Sequence, residues 1–190
     1  KGGIYYEFNN TDWEGLTVAV THRGSTTQQS GKYAGRIVIP SSVSFRGNTY
    51  RVSEIKSEAF AGCEELTSIS IPNSVIRIGV GAFRDCSKLA SVDIPESIAQ
   101  LPKETFKGCS SLTSVVLPEG MTKVGAFAFL GCYNLANVTI PKSMTSVAEF
   151  AFLDCNSITT VNVNDIGSWC GITFTNNNSN PLCYGARLYL

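Results

Sequence analysis

One spacing governs this chain. Phe60, Phe83, Phe106, Phe129 and Phe152 recur at steps of 23 residues without slippage. A cysteine follows each by three residues, at Cys63, Cys86, Cys109, Cys132 and Cys155. Leu66, Leu89, Leu112, Leu135 and Ile158 stand three further on, then Ile69, Val92, Val115, Val138 and Val161. Two residues later come Ile71, Ile94, Leu117, Ile140 and Val163, and Pro72, Pro95, Pro118 and Pro141 close the first four units. A fixed period of roughly 20–50 residues is the mark of a stacked repeat, in which each unit covers its neighbour. A single unit buries too little apolar surface to offset the entropy of ordering its backbone, so the units must fold as a cooperative stack with protected ends.

The local structure follows from residue type. In "LTSISI", Leu66, Ile69 and Ile71 point inward and Ser68 and Ser70 outward, because alternate strand residues face opposite sides. The proline after each strand has no N–H and ends the ladder. Val75 and Ile78 are spaced for a second short extended segment on the opposite wall. Gly79, Gly81, Gly125 and Gly131 are expected to permit tight turns. The A-F-x-x-C stretch reads as about one helical turn with Phe and Cys inward.

The units "EAFAGCEELTSISIPNSVIRIG" and "ETFKGCSSLTSVVLPEGMTKVG" resemble the BspA-like leucine-rich repeats of surface proteins from host-associated anaerobic bacteria. The resemblance covers residues 36 to 171, carried by the combined Phe, Cys, Leu, Ile-Pro and Ile-Gly positions. It extends to the lead-in "GKYAGRIVIPSSVSFRGNTYRVSEIKSEAF", and the tail "SWCGITFTNNNSNPLCYGARLYL" is similar to an interruption between two arrays of that family. It implies a right-handed superhelix with a parallel concave sheet, and a role in adhesion or binding at the bacterial cell surface or in the secreted state. The expected fold class is therefore an α/β solenoid, mostly β, with short helical turns and an N-terminal β-hairpin cap.

Three parts are expected. Residues 1–35 carry no repeat; "GIYYEF" and "LTVAVTH" alternate as two hairpin strands, which makes a β cap over the open end of the stack. An aromatic binding patch of Tyr5, Trp13 and Tyr33 is the alternative for this region. The solenoid spans 36–171. Its first repeat, 36–57, carries an insertion: Ile39 to Phe60 is 21 residues against 12 from Ile71 to Phe83, a surplus of nine. Arg46-Gly47-Asn48-Thr49 within it reads as a turn between two short strands, serving either as further capping or as a partner loop. Residues 172–190 are an irregular segment ending in a strand with Leu188 and Leu190 inward, and the natural chain is expected to continue beyond them.

Composition excludes several functions. Fifteen basic residues balance fifteen acidic ones, where a nucleic-acid binder carries a basic excess. No apolar run reaches membrane-spanning length. The absence of a secretion signal in a chain opening on Lys1-Gly2-Gly3 does not argue for the cytoplasm. His22 is the sole histidine and reads as a surface residue, and there is no catalytic, phosphate-binding or calcium motif, so no enzyme and no cofactor are expected. Of the seven cysteines, five stand at one repeat position, about 4.8 Å apart when stacked, with parallel side chains ill-suited to disulfides. They are expected to be reduced and to pack as small hydrophobes, with no metal spacing among them. A disulfide between Cys170 and Cys183 remains open.

The outward residues of the strand wall are Ser68, Ser70, Ser91, Asp93, Ser114, Val116, Asn137, Thr139, Thr160 and Asn162. Short hydroxyl and amide groups there make either a solvated sheet face or a binding surface, and they lack the aromatic and arginine anchors of hot spots. The expected function is an extracellular, adhesin-like interaction module, monomeric, with a host or bacterial surface protein as ligand. The alternatives are a structural spacer in a longer surface protein and a glycan-binding module.

Overall fold

The computed structural model describes residues 3–9, 16–21 and 33–190. Trp13, His22 and the polar loop between His22 and Tyr33 lie outside the described residues.

The repeat builds two parallel walls. On the first, β3 (Gly35–Val38) pairs with Leu66–Ser70, which pairs with Ser91–Asp93. A second run of this wall joins Ser114–Val116, Asn137–Ile140, Thr160–Val163 and Arg187–Tyr189. The hydrogen-bonded ladder lapses between Asp93 and Ser114. The opposite wall is made of two-residue strands at Gln100–Leu101, Lys123–Val124, Ser146–Val147 and Thr173–Phe174. Arg77–Ile78 joins the N-terminal sheet instead. Pro102 explains that break, because Gly79 and Gly125 at the same step donate N–H bonds to the preceding unit and a proline has none to give.

Between the walls the apolar positions form continuous columns. The five repeat phenylalanines are fully buried and stack face to face, with ring centroids 5.2–5.6 Å apart and planes within 7–15°. The cysteines form a second column that does more than fill space. Each thiol from Cys86 to Cys155 donates to the carbonyl of the Phe one unit back, at 3.1–3.2 Å. Contacts between neighbouring thiols and burial raise the Cys86 and Cys132 thiols well above their ordinary pKa, the hydrogen bond with Cys109 leading at Cys86 and desolvation at Cys132. No disulfide forms; Cys170 and Cys183 are exposed thiols.

The A-F-x-x-C stretch is not a helical turn. It is a pair of tight turns, each holding one residue at positive φ. The first sits at Glu58, Gly81, Glu104, Phe127 and Phe150, the second at Gly62, Asp85, Gly108, Gly131 and Asp154. This geometry sends alternate N–H groups to the next unit, as from Glu58, Phe60 and Gly62 to the carbonyls of Val80, Ala82 and Arg84. A third inter-unit hydrogen-bond column results, which a helix would have turned inward on itself. Gly81 and Gly131 act as turn formers as expected, whereas Gly79 and Gly125 serve close approach. A Cβ on Gly79 would fall on the Ser57 backbone nitrogen, and one on Gly125 would lie 2.6 Å from Lys103 N.

At the N-terminal end, β1 (Tyr5–Phe8) and β2 (Thr17–Thr21) form the expected antiparallel hairpin. The inserted hairpin joins β4 (Ser42–Phe45) to β5 (Asn48–Ile55) through Arg46 and Gly47, both at positive φ, so the turn proper is two residues rather than four. β5 then pairs in parallel with the wholly buried β2. Phe8 packs against Phe45 and Tyr50, at 5.6 and 5.0 Å between centroids, tying the two hairpins together. Tyr33 is 4% exposed and lies on the Phe60 ring, its hydroxyl donating to Thr21 O and accepting from Tyr5 N. It covers the phenylalanine column and is no part of a surface patch. At the other end, Leu188 is half-buried as expected, while Leu190 is 85% exposed.

Candidate functional site

The outward residues of the first wall align in register across the units. Arg36, Ser68 and Ser91 follow one row, and Val38, Ser70 and Asp93 the next. Beyond the lapse, Ser114, Asn137, Thr160 and Arg187 continue the first row, and Val116, Thr139, Asn162 and Tyr189 the second. Ser91, Asp93, Ser114, Val116 and Asn137 are exposed, whereas Ser68, Ser70, Thr139, Thr160 and Asn162 are half-buried by their neighbours. Val116 is 62% exposed, an apolar side chain in the middle of a polar wall.

The structure brings five of the ten sequence candidates together. Ser91, Asp93, Ser114, Val116 and Thr139 line a groove of about 510 Å³ astride the lapse in the ladder. Ser68, Ser70, Asn137, Thr160 and Asn162 lie along the wall outside it. Three further lining residues escaped the strand-face reading: Glu96, Glu119 and Asn164. They come from the turn after each strand, and Glu96 and Glu119 each follow the closing proline by one residue, which was a readable signal. Asn164 Nδ2 donates to Glu119 Oε1 at 2.6 Å, holding that carboxylate at the rim.

Charge is distributed unevenly around the stack. On the turn side, Arg84 meets Glu58 at 3.0 Å, Glu104 at 3.5 Å and Asp85 at 3.7 Å, and Lys88 meets Glu65 at 2.7 Å. At the groove, Asp93, Glu96 and Glu119 have no ion-pair partner among the described residues. The next rim residue, Lys142, acts on Asp165, whose carboxyl is held below its usual range mainly by hydrogen bonds from Ser168. Among the described residues no cluster of three or more His, Cys, Asp or Glu side chains is placed to hold a metal ion. No helix among them is long and apolar enough to cross a membrane.

A second hollow, about 640 Å³, lies among the turns near the C-terminus. Two of its polar side chains are engaged internally: Tyr184 Oη accepts from Asp154 N, and Asn180 Oδ1 accepts from Leu182 N.

The sequence profile described as "BspA type Leucine rich repeat region" matches residues 52–180 in six copies. The chain belongs to the BspA-type leucine-rich repeat family. A leucine-rich cell surface protein of Faecalibacterium prausnitzii is similar to this BspA-type chain at 31% identity and a TM-score of 0.73, over 90% of this chain and 40% of that one. A leucine-rich repeat protein of Bacteroides ovatus matches at 29% identity and a TM-score of 0.64, over 85% of this chain and 46% of that one. The leucine-rich repeat protein of T. pallidum matches at 25% identity and a TM-score of 0.70, over 90% and 78%. The BspA-type chain thus spans less than half the length of the first two. No curated protein sequence matches it.

Proposed function

We propose that this BspA-type repeat module binds a partner protein through its first wall, as an adhesin-like segment of a bacterial surface protein. The observation that carries this is the groove on that wall. The core columns are tied up in internal hydrogen bonds and Arg84 and Lys88 meet acids on the turn side, whereas the wall presents hydroxyls and carboxylates without ion-pair partners among the described residues around an exposed Val116. The groove's short hydroxyls and carboxylates around an apolar side chain suit recognition of a partner. The cell-surface setting is supported by the Faecalibacterium relative, itself a cell surface protein.

The test is an array of extracellular-matrix proteins, bacterial surface proteins and glycans probed with the module and with a Ser91→Arg, Ser114→Arg, Asn137→Arg variant. Saturable protein binding that is lost in the variant, with the circular dichroism spectrum unchanged, is the expected result. Binding unaffected by the variant would remove the wall as the site. No binding at micromolar concentration would favour the spacer reading, which the greater length of the relatives supports. Glycan binding would draw on Tyr189, the aromatic at the end of the second outward row.

A further inference from the structure

We infer that the groove between the strands Ser91–Asp93 and Ser114–Val116 is a docking site for an extended protein segment carrying a lysine or arginine. The inference rests on the wall-binding reading above and names the chemistry of its partner.

Three observations converge on a cationic side chain. First, the groove sits where the wall's ladder lapses, so it is a concavity in an otherwise continuous sheet. Second, its charged lining is of one sign: Asp93, Glu96 and Glu119. On the turn side acids do meet cations, Arg84 reaching Glu58, Asp85 and Glu104, and Lys88 reaching Glu65. Like charges left together cost self-repulsion, and a complementary cation relieves it. Third, the groove is arranged for a side chain with an apolar stem. Val116 offers an exposed aliphatic surface beside the carboxylates. Lysine and arginine lay their methylenes on such a surface while the charged head meets the acids. Glu119 is pre-positioned by Asn164 and keeps a second oxygen available to a donor. A bare metal ion does not fit, because these carboxylates do not form a metal-holding cluster. The rows of Ser91, Ser114 and Asn137 supply hydroxyl and amide partners for an extended backbone running across the strands.

The test titrates ¹⁵N-labelled protein with short capped serine–valine peptides bearing one central lysine, arginine, acetyl-lysine or glutamate. The expected result is movement of the amide signals of Ser91, Val92, Ser114, Val116 and Asn164 with lysine and arginine, and not with the acetyl-lysine or glutamate peptides. Added salt should weaken the response. Glu96→Gln and Glu119→Gln should each lower the affinity about two- to five-fold, the range an exposed ion pair supports. Both side chains are exposed, so the fold should be unaffected. Equal responses from all four peptides, shifts away from the groove, or no response to lysine and arginine at millimolar concentration would overturn the inference. If protein partners on the array still depend on Ser91, Ser114 and Asn137 in that case, only the cationic partner falls. If they do not, the wall-binding reading falls with it.

Discussion

The phenylalanine column makes stability a matter of nearest neighbours, and this can be measured. Phe106 stacks on Phe83 at 5.3 Å and on Phe129 at 5.6 Å, whereas Phe152 stacks only on Phe129, at 5.2 Å. Both rings are fully buried, so replacing either with leucine removes a similar apolar volume. The difference between the two sites is one aromatic pair, worth about 0.5–1.5 kcal/mol beyond area burial. Phe106→Leu should therefore cost more than Phe152→Leu by about 0.5–1.5 kcal/mol. Urea unfolding followed by circular dichroism reads this as a shift in midpoint at constant slope, and a reduced slope for Phe152→Leu would report fraying of the end unit. A double-mutant cycle sharpens the test. Phe83 and Phe106 should couple by about 0.5–1.5 kcal/mol, while Phe60 and Phe129, two units apart and not touching, should be additive within about 0.5 kcal/mol. Equal costs for the two single changes, or coupling as strong at distance as in contact, would refute the stacking account.

Three further outcomes follow from the same columns. A thiol-specific disulfide reagent should modify Cys170 and Cys183 in the native protein and all seven cysteines only in urea; a repeat cysteine reacting at their rate would contradict the buried column. Stability should fall at alkaline pH: Cys86 and Cys132 have folded pKa values above the unfolded thiol, so their contribution is whole below about pH 8.5 and is lost as pH rises, at up to about 1.4 kcal/mol per pH unit for each. Burial lifts Tyr33 to about 12, which adds a further fall above its unfolded value of about 10. A urea midpoint that stays flat to pH 10, or a slope unchanged by Cys86→Ala with Cys132→Ala, would refute the assignment. Tyr33→Phe removes the hydroxyl between Thr21 O and Tyr5 N and should loosen the N-terminal hairpin by about 1–2 kcal/mol, seen as faster amide exchange in β1 and β2 with the central units unaffected.

What was legible in the sequence was what the stack repeats. Phe, Cys, Leu and the strand aliphatics face inward in every unit, so a strict period reports the walls, the core and the register directly. The paired turns were misread as helix because spacing alone places Phe and Cys inward in either geometry. The discriminating signal was the residue before each cysteine: Gly62, Asp85, Gly108, Gly131 and Asp154 are types that tolerate positive φ, recurring at the same step. No such signal marks Glu58, Glu104, Phe127 or Phe150, whose left-handed backbone turns the N–H toward the next unit, to backbone carbonyls for the first three and to the Asn176 side chain for Phe150. The groove was half legible. Alternation identified Ser91, Asp93, Ser114, Val116 and Thr139, but Glu96, Glu119 and Asn164 belong to turns that fold back over the wall, and strand periodicity does not reach them.

This division between inward and outward positions bears on how such a module acquires a partner. Inward residues are held to one pattern because each unit must stack on two others, and a change there propagates through the Phe and Cys columns. Outward residues carry no such constraint. Along the rim, one residue past each of the four prolines and, in the fifth unit, past Asn164 in the proline's place, Asn73, Glu96, Glu119, Lys142 and Asp165 occupy equivalent places and run from neutral to acidic to basic to acidic. A strip whose geometry is fixed and whose charge is free works as a register in which sign and position select the ligand. The acidic pair at Glu96 and Glu119 falls beside Asp93 and the exposed Val116, at the one place where the first wall's ladder also lapses. Moving that pair by one unit, through Glu96→Ser and Lys142→Glu, should leave the urea midpoint unchanged while shifting the lysine-peptide response toward Thr139 and Asn162. A midpoint that falls with the charge shift would mean that the rim is structural, and selectivity would then have to reside in the strand residues themselves.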